Sequence, residues 1–364
     1  MLRKLKIRGY PMSLVFHFFR HAALYRIKGF IFGHQSYTKT FFYSSDEGVS
    51  KSTVSISKTH MVEPKITDSS DFIFYSSSPI RNRNLFIMSP ATVDTISGRV
   101  YDTEGKFLAD SSAWSPPHAV FRWIAPLPKR FLSATKLSGT NKHKTFVPSQ
   151  LYYHWLLEDL PSLIRVRSAF PDVQIYVSQA AHPYITEMFD FLGFDYTFAP
   201  AYLLAESLVF ESRGPALLPQ KIDVDTLNDL SWSVCKENSL GRKIYVSRKD
   251  AWRNPINFEM VEELARSHGF EVVSLTGMGP EDQIKLFQQA TVIAGPHGAG
   301  LSNIVWAKRG TLKVIEIRFA TQPPCFEVIS SHLDFEYLKE ESISSEDWRV
   351  DLNSLSNKMR TCDN

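Results

Sequence analysis

The chain has 364 residues, of which 43% are hydrophobic and 22% are charged, and its formal net charge at pH 7 is +3. These proportions are ordinary for a soluble globular protein, and the length is sufficient for two domains with separate cores. A dedicated nucleic-acid-binding protein would normally be more basic, so the charge argues against that class of partner.

The first 45 residues form a basic, aromatic leader with eight Lys or Arg and no Asp or Glu. Its apolar run, residues 12–19, is shorter than the roughly 20 residues that a transmembrane helix needs. Two interpretations remain open. The leader packs on the first domain, or it makes peripheral contact with an anionic membrane surface.

Three cysteines, Cys235, Cys325 and Cys362, are widely spaced and odd in number. Their spacing fits neither a disulfide framework nor a metal site. We therefore expect free thiols, which suit a reducing compartment.

Residues 46–212 are predicted to form a first domain whose early part is rich in strands. A β-hairpin is predicted with strands at 92–101 and 106–109 and a turn at 103–105. From about residue 150 strands and helices alternate, with a strand at 174–178, a helix at 183–192 and a strand at 207–211.

Residues 213–240 are predicted to be a linker and a bridging helix. This segment contains Asp223-Val-Asp225, the D-x-D pattern of metal-dependent sugar transferases. Because Asp is a favoured N-cap residue, we interpret Asp225 as the cap of a helix at 226–236 rather than as a metal ligand.

Residues 241–345 read as a Rossmann-like domain, followed by a tail or helix at 346–364. Strands are predicted at 243–246, 271–274, 291–294 and 312–317, and helices at 257–268 and 280–290. Short apolar strands separated by helices of this length indicate a parallel sheet covered by helices.

The most informative segment of this domain is the turn Gly295-Pro-His-Gly-Ala-Gly300. A strand that ends in glycines and restarts as a helix leaves N–H groups free to bind a phosphate or diphosphate. The pattern lies in the third strand–helix unit, and no P-loop Lys-Ser/Thr follows it, which disfavours NAD and ATP. The alternative is a tight turn whose glycines serve packing only.

Other polar residues are expected at the carboxyl ends of neighbouring strands, where ligands bind in such sheets. Arg248 and Arg253 follow the first strand and could bind a diphosphate. Glu316 closes the fourth strand, where its carboxylate could accept hydrogen bonds from ribose hydroxyls; the alternative is an exposed strand-end residue.

In the first domain, His154 and Glu158 are spaced to share one face of a helix. A carboxylate that fixes the tautomer of a histidine makes it a candidate general base. Asp159 is a competing base, and Pro161 is expected to kink or restart the helix. The alternative interpretation is a core histidine beside aromatic residues.

Taken in order, these motifs resemble glycosyltransferase family 61 over about residues 150–317. The resemblance rests on a Tyr-Tyr-His-Trp-Leu block at 152–156, a Ser-Arg strand end at 247–248, Asn and Glu at 257 and 259, a Gln-Ile-x-Leu-Phe-x-x-Ala helix at 283–290, a Gly-Pro-His-Gly-Ala-Gly-Leu-x-Asn turn at 295–303 and a Val-Ile-Glu-Ile strand at 314–317.

The resemblance implies an α/β, GT-B-like fold: two Rossmann-like domains around a central cleft, here with a β-rich N-terminal extension. It implies an inverting transfer from a nucleotide sugar, commonly a UDP-sugar, that needs no metal or other cofactor. The implied base is His154, with Glu158 or Asp159 as orienter or substitute. The implied donor-binding residues are Arg248, Arg253, His297, Gly298, Ala299, Gly300, Asn303 and Glu316.

The chain looks more like the bacterial members of the family associated with capsule or surface-polysaccharide assembly than like its vertebrate and plant members. That similarity implies a saccharide or lipid-linked saccharide acceptor and a cytoplasmic location near the inner membrane. Two alternatives remain. One is another GT-B-like polysaccharide-modifying transferase, such as a pyruvyl transferase, and the other is a non-catalytic nucleotide-sugar binding module.

Overall fold

A computed structural model describes residues 143–148, 151–200, 202–211, 218–237, 239–249, 254–320, 322–342 and 348–362, together with short segments between residues 6 and 137. Strands in these residues are Lys6–Ile7 (β1), Tyr10–Pro11 (β2), Phe42–Tyr43 (β3), Val54–Ser55 (β4), Asn84–Met88 (β5), Ala91–Asp94 (β6), Arg99–Tyr101 (β7), Phe107–Leu108 (β8), Thr135–Leu137 (β9), Lys144–Val147 (β10), Gln174–Ser178 (β11), Tyr196–Ala199 (β12), Tyr202–Ala205 (β13), Leu208–Glu211 (β14), Arg242–Val246 (β15), Glu271–Val273 (β16), Ala290–Pro296 (β17), Lys313–Phe319 (β18) and Glu336–Ser342 (β19).

The α-helices in the same residues are Tyr152–His154 (α1), Leu160–Ala169 (α2), Pro183–Leu192 (α3), Lys221–Val234 (α4), Phe258–Ser267 (α5), Pro280–Gln288 (α6), Cys325–His332 (α7) and Leu352–Arg360 (α8). A π-helical turn, Trp155–Asp159, joins α1 to α2, and a 3₁₀ helix, Ala299–Trp306, follows β17.

The second half is a five-stranded sheet in the order β16-β15-β17-β18-β19, in which every neighbouring pair is parallel. Numbered along this half, the order is 2-1-3-4-5, that of a doubly wound sheet. Six of the seven residues of β17 are buried, as expected for a parallel strand covered on both faces. The predicted parallel α/β architecture of this half is confirmed.

Helix bounds in both halves follow local sequence signals. Pro183 and Pro280 lie in the first turns of α3 and α6, where a missing N–H costs no intrahelical bond. Helix α3 ends at Gly193, whose φ of 64° is left-handed and suits glycine. Asp351 caps the N-terminus of α8, because its side chain accepts hydrogen bonds from the N–H groups of Asn353 and Ser354.

The first half contains a six-stranded sheet in the order β12-β11-β10-β14-β5-β4. Strands β12, β11, β10 and β14 are mutually parallel, whereas β5 pairs antiparallel with both β14 and β4. A second mixed sheet has the order β3-β8-β7-β6-β13-β9, and β1 pairs with β2. This half is therefore mixed α/β with a parallel portion.

The predicted hairpin at 92–109 is wrong in its strand division. Residues 92–101 form two strands, β6 and β7, that pair antiparallel, and the N–H of Gly98 bonds the carbonyl of Asp94 between them. Strand β7 then pairs antiparallel with β8, so the segment is a three-stranded meander. The first turn was missed because Gly98 lies inside an apparently continuous β pattern.

The interpretation of Asp225 as an N-cap is also wrong. Helix α4 begins at Lys221 after Gln220, so both aspartates of the D-x-D pattern lie within the helix. Asp223 is buried and its carboxylate binds Arg165 at 2.6 Å. Asp225 binds Lys221 at 2.7 Å and Arg309 at 2.6 Å.

A single hydrophobic cluster joins the two halves. It includes Val147 and Trp155 from the first half and Ile293, Ile304 and Trp306 from the second. Of the predicted linker and bridging helix at 213–240, residues 213–217 and 238 lie outside the described residues. Within the described part, the halves are in direct apolar contact.

Two further sequence expectations concern membranes and thiols. Among the described residues, no helix is long and apolar enough to cross a membrane. The leader at 1–45, apart from β1, β2 and β3, lies outside the residues that the structure describes. All three cysteines are free, as predicted, and Cys235 and Cys325 are buried.

Candidate functional site

The doubly wound sheet has its topological switch point between β15 and β17. From β15 the chain passes outward to β16, and from β17 it passes the opposite way to β18. Ligands of such sheets bind in the crevice outside the carboxyl ends of the strands at this point. Ser247 and Arg248 follow β15, and His297 follows β17, so both lie at that crevice.

The glycine turn differs from the expected strand-to-α-helix turn. Strand β17 extends to Pro296, and the segment after Gly298 is a 3₁₀ helix rather than an α-helix. A Cβ on Gly295 would lie 2.9 Å from the carbonyl oxygen of Val246, so this glycine serves close packing of β17 against β15. Packing against β15 therefore explains the glycine at position 295, whereas the glycine at position 298 is explained by a different neighbouring residue.

That neighbour is Arg248, whose guanidinium lies over the turn. Its Nη1 donates a hydrogen bond to the carbonyl oxygen of His297. A Cβ on Gly298 would lie 2.0 Å from the same Nη1, so only glycine leaves room for the guanidinium here. The structure brings Arg248 onto the turn, whereas Arg253 lies outside the described residues.

His297 and Glu316 form a buried pair. The Nδ1 of His297 is bonded to Oε1 of Glu316, and the hydroxyl of Tyr337 donates to Oε2 at 2.5 Å. Glu316 has no exposed surface and lies in the middle of β18, not at its end. The alternative of an exposed strand-end residue is wrong, and the carboxylate contacts His297 rather than open solvent.

His154 and Glu158 form a second pair of the same kind. The Nδ1 of His154 lies 2.8 Å from Oε1 of Glu158, as their spacing predicted. A π-helical turn occupies residues 155–159, and Pro161 lies in the first turn of α2. Such π-turns within helices are frequent at functional sites.

Asp159 faces a different part of the molecule. It lines a small cavity of about 30 Å³ together with Thr145, Ser162 and Glu211, and neither His154 nor Glu158 lines that cavity. Burial raises the pKa of the Tyr184 hydroxyl to about 12, and the charge of Asp159 adds to the rise. Asp159 thus lines a cavity to which the His154–Glu158 pair does not contribute.

Aromatic rings connect the two His–Glu pairs. The Tyr153 ring packs edge-on against His154 at 5.2 Å and against Phe326 at 6.2 Å, and Phe326 packs on His297 at 5.0 Å. Burial raises the pKa of the Tyr153 hydroxyl, and Cys325 and the two glutamates raise it further. The His154–Glu158 pair of the first half and the His297–Glu316 pair of the second are therefore joined by two rings.

Asn303 has a different environment from the donor contact that was expected. It is fully buried, and its Oδ1 accepts hydrogen bonds from the Tyr152 hydroxyl and the Trp306 indole, each at 2.8 Å. Its Nδ2 donates to the carbonyl of Gly300 at 3.2 Å. Asn303 thus ties the first half of the chain to the 3₁₀ helix, and Ala299 and Gly300 form the first turn of that helix.

Sequence reasoning missed three residues that shape the site: Tyr153, Phe326 and Tyr337. Tyr153 stands beside His154 in the sequence, but nothing local indicates its contact with a ring about 170 positions away. Tyr337 reaches Glu316 because β18 and β19 pair in parallel with Val314 opposite Tyr337, two residues from Glu316 on the same face. Only the strand order reveals that proximity.

The comparisons with known proteins identify the domain that carries these residues. Residues 152–314 match the family model described as Glycosyltransferase 61. The chain carries a glycosyltransferase 61 domain. That domain contains the His154–Glu158 pair, Arg248 and the glycine turn, and its match ends two residues before Glu316.

One curated relative and one solved structure are also similar. A 65-residue segment is 42% identical to a beta-1,2-xylosyltransferase of Arabidopsis thaliana and covers 17% of this chain and 12% of that protein. The crystal structure of TibC, a bacterial iron-containing dodecameric glycosyltransferase of enterotoxigenic E. coli, aligns at 12% identity and a TM-score of 0.30, over 78% of this chain and 94% of that one.

Proposed function

We propose that this protein is an inverting glycosyltransferase that moves a sugar from a nucleotide sugar, a UDP-sugar by preference, to a saccharide acceptor. The observation that carries the proposal is the junction of a His–Glu pair on the first half with the glycine turn of the second, through Tyr153 and Phe326. The glycosyltransferase 61 domain supports the same activity.

On the donor side, the diphosphate binds at the switch point between β15 and β17. Arg248 lies over Gly298, and a guanidinium binds phosphate oxygens in bidentate fashion. The imidazole of His297 and the N–H groups of Ala299 and Gly300 complete the cradle. These groups stabilise the charge that develops on the departing nucleoside diphosphate.

On the acceptor side, His154 is the general base. Its Nδ1 is bonded to Glu158, so its Nε2 is the nitrogen that takes the acceptor proton. As that proton leaves, the acceptor oxygen forms a bond to the anomeric carbon, and the bond from that carbon to the diphosphate breaks. A single displacement of this kind inverts the anomeric configuration.

The reaction proceeds without a metal held by the D-x-D pattern. Asp223 is ion-paired with Arg165, and Asp225 with Lys221 and Arg309, so the two carboxylates bind different cations. Arg248 and the turn supply the positive charge that a metal provides in other transferases.

For the whole molecule, the proposal includes a GT-B-like arrangement of two Rossmann-like halves and a role in surface-polysaccharide assembly at the cytoplasmic side of the inner membrane. The parallel order β12-β11-β10-β14, read 3-2-1-4 along the chain, supports a Rossmann-like first half.

The test is turnover by His154→Ala. A thermal-shift panel of nucleotide sugars selects the donor, because a ligand that binds the folded state raises its apparent stability. UDP release with a saccharide acceptor then measures transfer, in EDTA. General-base catalysis contributes about 10²- to 10⁴-fold, so we expect a loss of that size.

His268→Ala is the matched control, because this histidine ends α5 and bonds Ser356, away from the proposed site. It should retain wild-type turnover. Wild-type turnover by His154→Ala would exclude His154 as the base. Activity that is lost in EDTA and restored by Mn²⁺ would exclude the metal-free mechanism.

A further inference from the structure

Three residues from three consecutive strand units form a hydrogen-bonded chain behind the glycine turn. Tyr337 on β19 donates to Oε2 of Glu316 on β18, and Oε1 of Glu316 is bonded to Nδ1 of His297 after β17. Glu316 is fully buried and His297 is 8% exposed, so the chain runs from the interior to the edge of the crevice.

The carboxylate at the centre of this chain dictates where the imidazole protons lie. An ionised carboxylate only accepts hydrogen bonds, so Nδ1 of His297 must carry a proton to donate to Glu316. A buried carboxylate is costly unless it is hydrogen-bonded, and the Tyr337 hydroxyl supplies a second donor. Burial, followed by the charge of Glu316, raises the pKa of that hydroxyl, which keeps it protonated as a donor.

The ring is also held from its other side. Phe326 packs against the imidazole at 5.0 Å between ring centroids, with the planes at 58°. The backbone of His297 is fixed as well, because its N–H donates to the carbonyl of Ile317 at 2.7 Å. These contacts fix the orientation of both the backbone and the ring of His297.

We propose that Glu316 and Tyr337 are positioning residues that hold His297 with its Nδ1–H toward the interior. In that orientation, Nε2 faces the crevice and contacts the donor diphosphate. This inference rests on the proposed function and replaces a ribose contact for Glu316 with an indirect role. A carboxylate on Nδ1 also stabilises positive charge on the imidazole, which favours contact with an anionic diphosphate.

The test measures the imidazole directly and needs no turnover. In the ¹⁵N-histidine NMR spectrum, assigned with His297→Gln, the wild-type Nδ1 should be protonated. In Glu316→Gln the amide can donate to Nδ1 and thereby favour the tautomer with the proton on Nε2. The Nδ1 signal should then be that of an unprotonated nitrogen and the Nε2 signal that of a protonated one. Tyr337→Phe keeps the carboxylate and should weaken, but not reverse, the same signature.

Binding of UDP provides the second readout. We expect about tenfold weaker UDP binding by Glu316→Gln and a smaller loss by Tyr337→Phe, because hydrogen bonds to charged groups are the stronger ones. Ser354→Ala is the matched control. It removes a hydroxyl that donates to Glu340 on β19 at 2.7 Å, and it should change neither the His297 signals nor UDP binding.

Unchanged His297 signals in both variants would overturn the inference, and so would UDP binding equal to that of the control. If Glu316→Gln does not fold, Tyr337→Phe decides the question alone. Absence of UDP binding by the wild type would instead contradict the proposed function, and the NMR signature would still test the positioning of His297.

Discussion

The three glycines of the turn have different physical roles. Gly295 allows the backbone of β17 to approach the carbonyl oxygen of Val246, and Gly300 packs against the Val246 side chain, 3.2 Å from where its Cβ would lie. Gly298 instead makes room for the Arg248 guanidinium. Packing therefore explains Gly295 and Gly300, whereas Gly298 serves the proposed ligand-binding role of Arg248. The two interpretations of the turn apply to different glycines and do not exclude each other.

Gly298→Ala should therefore weaken ligand binding more than stability. The φ of 169° at Gly298 is extended backbone that alanine adopts. The three atoms nearest to the added methyl all belong to the flexible end of Arg248. Displacing that guanidinium should weaken UDP binding by about tenfold, the size of one charged hydrogen bond. Titration calorimetry measures the affinity, and the unfolding midpoint should stay close to that of the wild type.

Gly279→Ala is the control for that substitution, because nothing lies within 4 Å of the Cβ it would add and its φ is −65°. Equal UDP affinities for the two variants would show that Arg248 does not contact the diphosphate.

The sequence predicted the site residues whose partners are local. His154 and Glu158 are four residues apart, so helical periodicity alone placed their side chains together. Glu316 was assigned to a strand end because neither the length of β18 nor the partners from β17 and β19 can be read from local spacing. Asn303 was likewise expected to bind the donor, because its hydrogen bond from the Tyr152 hydroxyl of the first half cannot be read from local sequence.

Among the elements, the 3₁₀ helix is held near its middle by the first half and at its C-terminal end by α4. Asn303 near its middle accepts a hydrogen bond from Tyr152. At its end, the side-chain amide of Asn228 on α4 donates to the carbonyls of Val305 and Ala307, at 2.7 and 2.8 Å. A 3₁₀ helix has poorer hydrogen-bond geometry than an α-helix, so these contacts fix an element that is weak alone.

Asn228→Ala should destabilise the protein by roughly 2 kcal/mol, because it leaves two carbonyl acceptors without their donors in a buried place. Urea unfolding followed by circular dichroism measures this difference. Asn357→Ala removes an exposed asparagine from α8 and should change stability by less than about 0.5 kcal/mol. If the two variants are equally stable, Asn228 does not hold the 3₁₀ helix.

Most helices and strands of the second half could be predicted because apolar periodicity and proline positions are local signals. The strands predicted at 243–246 and 291–294 and the helices predicted at 257–268 and 280–290 agree with β15, β17, α5 and α6 to within two residues at each end. In the first half, the strand at 174–178 and the helix at 183–192 are confirmed with the predicted bounds. The start of α4 was predicted wrongly because aspartate is a common N-cap residue. In the structure, Asp223 and Asp225 lie within the helix and form ion pairs with Arg165 and Arg309. Tertiary contacts overrode a local preference there.

At the scale of the whole molecule, two parallel strand sets each provide a switch point. One lies between β15 and β17, and the other between β10 and β14, which pair in parallel at Lys144 and Leu208. Strand order cannot be derived from hydrophobic patterns, so the sequence could suggest two Rossmann-like halves without showing where their crevices lie. We assign the donor to the crevice between β15 and β17 and the acceptor base to the first half.

The measurement that tests this assignment most directly is amide hydrogen exchange of the full chain with and without UDP. UDP should slow exchange at Arg248 and at residues 297–300, the two sides of the β15–β17 crevice. Slower exchange confined to the ends of β10 and β14, or no change at the glycine turn at saturating UDP, would contradict this assignment.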